Sequence, residues 1–222
     1  QGFASLIMPG LVVLILQQSM LLGITMIGGT ARDRRRRNGG TDPLDYDAGP
    51  LATVFGKSLC YIMVYLPLSY YILEIIPYMF SLPHVGSFFD MMPMIFMVLL
   101  ATTFLGQTLQ VFVRERETSL LVIVFTSVVF LFLSGLTWPR YAFSKFWLMV
   151  SDLVPATWGM EGLIRINSNG ATIADVGHYY WGLWALTGVY FVTALALRYF
   201  SDRALRPRLL PAEKNLPAES KV

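Results

Sequence analysis

Charge is what this chain has least of. Only 14% of its 222 residues are Asp, Glu, Lys or Arg, against roughly 25% in ordinary soluble domains, while 55% are hydrophobic and mean hydropathy is +0.56. A chain so short of charge cannot coat a water-facing surface of its own size, which makes lipid its solvent. Cysteine is as scarce: Cys60 alone, inside an apolar run, excludes an internal disulfide framework and a thiolate metal cluster and reads as a small packed hydrophobe. The two histidines, His84 and His178, build no metal site; Asp175 precedes His178 by three and reads as its solvated partner.

Catalytic constellations are missing too. The stretch "GPLATVFGKS" has Gly56-Lys57-Ser58, but Leu51 stands where a phosphate-binding loop needs its first glycine. Ser134-Gly135 follows Phe132 where an intramembrane serine protease has its first glycine, and no nucleophile, base and orienter converge.

Long apolar runs are what the chain does have. Residues 5–29, 58–80, 91–113, 118–139 and 179–197 are each long enough to cross a hydrocarbon core of about 30 Å, which takes about 20 helical residues. The expected fold class is an all-α membrane protein, a polytopic bundle of five transmembrane helices. Residues 140–178 are aromatic and amphipathic but too interrupted by charge for a sixth span; two short helices, about 143–153 and 157–166, are expected as a re-entrant dip or an external lid. Thr172 with Asp175 resembles a capping box ahead of the last span. The transmembrane domain is expected over 1–205, with a disordered tail over 206–222.

Positive charge sets orientation. Of the 17 lysines and arginines, only Arg140, Lys145 and Arg165 fall on one side of this topology, so the side carrying "ARDRRRRNGGTDP" is cytoplasmic, with the start of the chain outside and the C-terminus inside. The arginine run therefore reads as a topological anchor at anionic lipid headgroups, with no nucleic-acid role. Aromatic residues gather at the outer ends as an interfacial belt, and Met91, Met92, Met94 and Met97 read as packing before lining. Polar residues inside the spans are the candidates for a substrate path: Gln17, Gln18, Glu74, Thr103, Gln107 and Gln110.

The order of these features resembles the permease subunit of type-2 ABC exporters. A span is followed by an arginine-rich loop with Arg32, Asp33, Arg34 and Gly40-Thr41, then Gly56-Lys57, a helical hairpin, "VRERETS", "FLFLSGLTWP" and "LVPATWGMEGLIRI" before a last span. The resemblance implies six spans in the full family fold. Because the chain begins at Gln1 with no signal segment, a preceding span and an external segment are expected to be missing from it. With Asp33 for the family's usual Glu and the added Arg35 to Arg37, followed by Asn38-Gly39 and Asp42-Pro43, no continuous helix is expected through this whole loop.

The resemblance also implies a mechanism. The chain would be no enzyme and bind no cofactor; ATP and Mg would belong to a cytoplasmic ABC ATPase subunit, and a second permease subunit would complete a homo- or heterodimer. Membrane lipid is a further partner, and a periplasmic adaptor protein is compatible with the scheme. A coupling helix between Leu44 and Phe55 would dock on the ATPase through Asp42, Leu44, Asp45, Tyr46, Asp47, Leu51 and Phe55, with Arg114, Glu115, Arg116 and Glu117 as a second contact. Ser134, Gly135, Pro139 and Pro155 would belong to an external gate. The implied setting is a bacterial inner membrane and the implied cargo a drug-like compound or lipid. A stand-alone channel or lipid scramblase is the rival reading, and an intramembrane enzyme a third.

Overall fold

The computed structural model describes residues 3–38, 49–81, 85–113, 115–136 and 140–213, with side chains between 8 and 201. Regular structure in these residues is helical throughout: α1 (Phe3–Arg37), α2 (Pro50–Tyr70), a π-helical turn (Tyr71–Ile75), α3 (Ile76–Met79), α4 (Phe88–Gln110), α5 (Arg116–Leu133), a 3-10 turn (Arg140–Ala142), α6 (Lys145–Asp152), α7 (Pro155–Asn169) and α8 (Gly177–Glu213). Five stretches are long and apolar enough to cross a membrane: Met8–Arg37, Pro50–Met79, Phe88–Gln110, Arg116–Leu133 and Gly177–Ser201.

Several boundaries differ from the sequence reading, each for a physical reason. The first helix outruns the span expected over 5–29: α1 continues through the arginine run to Arg37 and stops there, with Asn38 in a turn. Arginine is a good helix former, and Arg34 to Arg37 lie in the last turn, where the negative end of the helix dipole favours cations. The glycines Gly28 and Gly29 serve packing instead. A Cβ on Gly29 would come within 2.9 Å of the Arg116 backbone nitrogen, so only glycine lets α1 lie against the start of α5. The fourth span ends at Leu133, before Gly135 with its φ of 85°, and not at Pro139, which lies outside the described residues. Helix α8 continues to Glu213, into the segment expected to be disordered.

The prolines of the second span are absorbed without a break. Pro77 has no N–H to give to the preceding turn, and there the helix widens into the π turn, whose closing Ile76 N–H donates to the Tyr71 carbonyl. Helix α4 is the central pillar, packed by α1, α2, α7 and α8. Its apolar window is 61% buried inside the protein, against 17% for α5. Met91, Met94 and Met97 are fully enclosed in that core, which makes them packing residues.

Candidate functional site

At the end of the bundle away from the arginine run, α6 and α7 form the two short helices expected from sequence. Arg140, in the 3-10 turn, fixes them. Its guanidinium donates to Glu161 Oε1 on α7 at 2.7 Å and to Asp152 Oδ1 on α6. Burial works against its charge, but the hydrogen bonds and charges of Glu161 and Asp152 more than offset that, and its pKa is raised. Further ties close this end: Ser151 Oγ donates to the Leu133 carbonyl at 2.7 Å, the Trp158 indole N–H to the Asp152 carbonyl at 2.7 Å, and the Ile173 N–H to Asp90 Oδ1 at 2.9 Å. Ser134 and Gly135 shape the exit of α5, where the Leu136 N–H donates to Ser134 Oγ at 3.3 Å, and Pro155 is the first residue of α7.

Asp175 takes up the capping role that its spacing suggests. The Thr172 N–H and hydroxyl donate to its Oδ2 at 2.9 and 2.8 Å, the first of these being the larger cause of its lowered pKa. The expected pairing with His178 is therefore replaced: that imidazole packs on Trp158 at 5.5 Å between ring centres.

The polar residues proposed as a path separate into different roles. Gln17 is 1% exposed, and its Oε1 accepts the Ala156 N–H at 2.6 Å, so it caps the first turn of α7 from α1. Thr103 returns its hydroxyl to the Leu100 carbonyl at 2.7 Å within its own helix. Gln17 and Thr102 line a cavity of about 10 Å³ between α1, α2, α4 and α7. Gln18 keeps its side-chain amide out of water. Glu74 sits in the π turn of the second span.

Gln107 and Gln110, in contrast, meet at the arginine-rich end. Gln107 Nε2 donates to Ser58 Oγ at 2.7 Å and to the Val54 carbonyl at 3.3 Å, joining α4 to α2. Both glutamines line a cavity of about 70 Å³ between α1, α2, α4 and α8, together with Arg32, Arg35, Lys57 and Arg198. Sequence spacing put the two glutamines on one face, but the four cations come from three separate helices and meet only in the fold. Arg32 also donates to the Val113 carbonyl, tying α1 to the end of the third span.

Of the residues expected to couple to an ATPase, Asp42, Leu44, Asp45, Tyr46, Asp47 and Arg114 lie outside the described residues. Leu51 and Phe55 belong to the opening turns of α2 and are 53% and 50% exposed. Phe55 also joins Phe104 and Phe191 in a ring cluster, with centroids 6.3 and 5.2 Å away. Glu115, Arg116 and Glu117 start α5, and Glu115 Oε1 pairs with Arg36 at 3.3 Å. The Arg140 clamp went unread in the sequence, although three charges of mixed sign in an aromatic, half-apolar stretch are a usable sign of a buried ion network.

Residues 1–196 match the family model described as ABC-2 family transporter protein. No curated protein and no solved structure matches the chain. The family match covers most of the chain, four spans whole and the greater part of the fifth, and the protein belongs to the ABC-2 family of transporter membrane components.

Proposed function

We propose that this ABC-2 family chain is the permease subunit of an ATP-driven exporter, carrying a hydrophobic or amphipathic substrate, a drug-like compound or lipid, out of the cytoplasm or inner leaflet by alternating access. The observation that carries this reading is the family match over residues 1–196, which takes in four spans whole and most of the fifth. In the proposed setting the chain lies in a bacterial inner membrane with its arginine-rich end in the cytoplasm. It pairs with a second permease subunit, and each rests on an ATPase that holds ATP and Mg. An adaptor in the periplasm is compatible with the same scheme.

The geometry supports a specific transmission route. Helix α1 is continuous from Phe3 to Arg37, packs on α4, α5 and α7, and holds the first turn of α7 through Gln17. A rigid helix displaced at its arginine end moves its other contacts with it. In this reading the coupling segment between Leu44 and Phe55 receives the ATPase stroke, α1 carries it, and α7 with α6 changes packing at the outer end. That is a switch between two packed states.

The test uses the chain assembled with its ATPase. Phe55→Glu combined with Tyr46→Glu is expected to abolish copurification of the ATPase and substrate export while leaving the permease in the membrane. Full ATP turnover and export in that variant would overturn the coupling assignment. Substrate movement by the purified chain alone, without nucleotide, would identify a channel or scramblase instead.

A further inference from the structure

We infer that the small cavity between α1, α2, α4 and α7 is a binding site for a single water molecule, held by Gln17, Ser69 and Thr102, which joins three spans inside the membrane. The described lining takes one polar residue from each of α1, α2 and α4, and is otherwise valine, leucine and isoleucine. None of these lining residues is more than 6% exposed, so protein closes the space off. Its volume of about 10 Å³ stands at the lower end of the roughly 10–15 Å³ that one water requires, which leaves no room for a second water or a larger ligand.

Two of the three polar groups call for a partner. Gln17 Nε2 and Thr102 Oγ1 are buried with no hydrogen-bond partner among the described residues. Leaving such groups unpaired is costly, and each lies in the interior of its span, where lipid offers no hydrogen bond. The other end of the Gln17 amide is already engaged, since its Oε1 accepts the Ala156 N–H at 2.6 Å. Ser69 Oγ donates its own proton to the Tyr65 carbonyl at 2.7 Å, which leaves its lone pairs to accept. One water answers all three groups: its oxygen accepts from the Gln17 amide and the Thr102 hydroxyl, and one of its protons goes to Ser69 Oγ. That gives the water about three hydrogen bonds, the usual number for a buried one, whereas cavities that stay dry have apolar walls. Leu73 of the π turn also lines the cavity, so the water sits beside the point where the second span widens. Gln17 thus ties α1 to α7 through its oxygen, and to α2 and α4 through its nitrogen and the water. The inference rests on the cavity and its polar groups, and does not depend on the function proposed above.

Thermal scans of the purified full chain in detergent give the first test. Thr102→Val keeps the shape of the side chain and removes the hydroxyl. With the water bound, that change takes away one of its partners and should lower the unfolding midpoint by about 2–4 °C. In a dry cavity the same change removes an unpaired buried hydroxyl, so an unchanged or raised midpoint would overturn the site. The second test reads the water directly, by a rotating-frame Overhauser measurement on the chain carrying isotope-labelled glutamine. Gln17→Leu identifies the Gln17 side-chain amide by the loss of its signal. A contact between that amide and water, opposite in sign to proton exchange, is the expected result. An exchange signal alone, or none, would overturn the site even if Thr102→Val lowered the midpoint by some other route.

Discussion

The two ends of the bundle handle positive charge in opposite ways. Away from the arginine run, Arg140 is held between Asp152 and Glu161, its side chain 25% exposed and its carboxylate partners 43% and 23%. At the arginine-rich end, Arg32, Arg35, Lys57 and Arg198 line one cavity of about 70 Å³. The first arrangement satisfies its charges internally and ties a 3-10 turn, α6 and α7 into one unit. The second brings positive charge from three helices to one cavity, and like charges that close repel, so the packing there depends on what each cation is engaged with. The same residue types thus join short helices at one end and line a cavity between long ones at the other.

Removing the clamp should produce the largest effect. Arg140→Gln would leave Asp152 and Glu161 facing each other, partly desolvated and without their cation. Breaking a fully buried pair costs about 3–5 kcal/mol, and partial exposure reduces the expected loss here to about 2 kcal/mol. For a chain of this size that is a fall of about 4–8 °C in unfolding temperature, measurable by a thermal scan in detergent. An unchanged midpoint would mean that the two ends do not differ in the way their charges suggest.

A smaller change tests whether α1 joins the two ends. Gln17→Leu removes the acceptor for the Ala156 N–H, and losing one such bond should cost about 1 kcal/mol. Hydrogen exchange should show the Ala156 amide opening faster while Ser58 and Gln107 at the far end keep their protection. Uniformly faster exchange across both ends would indicate a general loosening instead of a local link.

The number of spans was legible in the sequence because lipid imposes length and apolarity on each one. The two short helices were legible for the complementary reason, since charges at Asp152, Glu161 and Arg165 forbid a sixth span there. What the sequence did not reveal is which span is central. Helices α4 and α5 have the same mean hydropathy, yet one is a buried pillar and the other a peripheral helix, because lipid and protein interior select for the same side chains. Sites built across helices were hidden for a related reason. Gln107 and Gln110 could be placed on one face from their spacing, but Arg35, Lys57 and Arg198 are far apart in the chain and meet only through packing. The end of α1 lay beyond the apolar run because hydropathy stops at residue 29 while four arginines in the last turn favour continuing the helix to Arg37.

The smallest expected effect completes the contrast between the ends. Arg36 donates to Glu115 at 3.3 Å, a contact that in a two-dimensional list resembles the Arg140 clamp. Its side chains are 71% and 53% exposed, so water and salt screen the pair, and fixing two mobile side chains offsets much of the attraction. Arg36→Gln should therefore change stability by no more than about 0.5 kcal/mol, within the scatter of a thermal scan, and the small difference should vanish in high salt. A loss approaching that of Arg140→Gln would show that the start of α5 is held to α1 by charge. The close backbone approach at Gly29 argues that packing holds it instead: there Arg116 lies where a Cβ would be, and no change of salt can alter that contact.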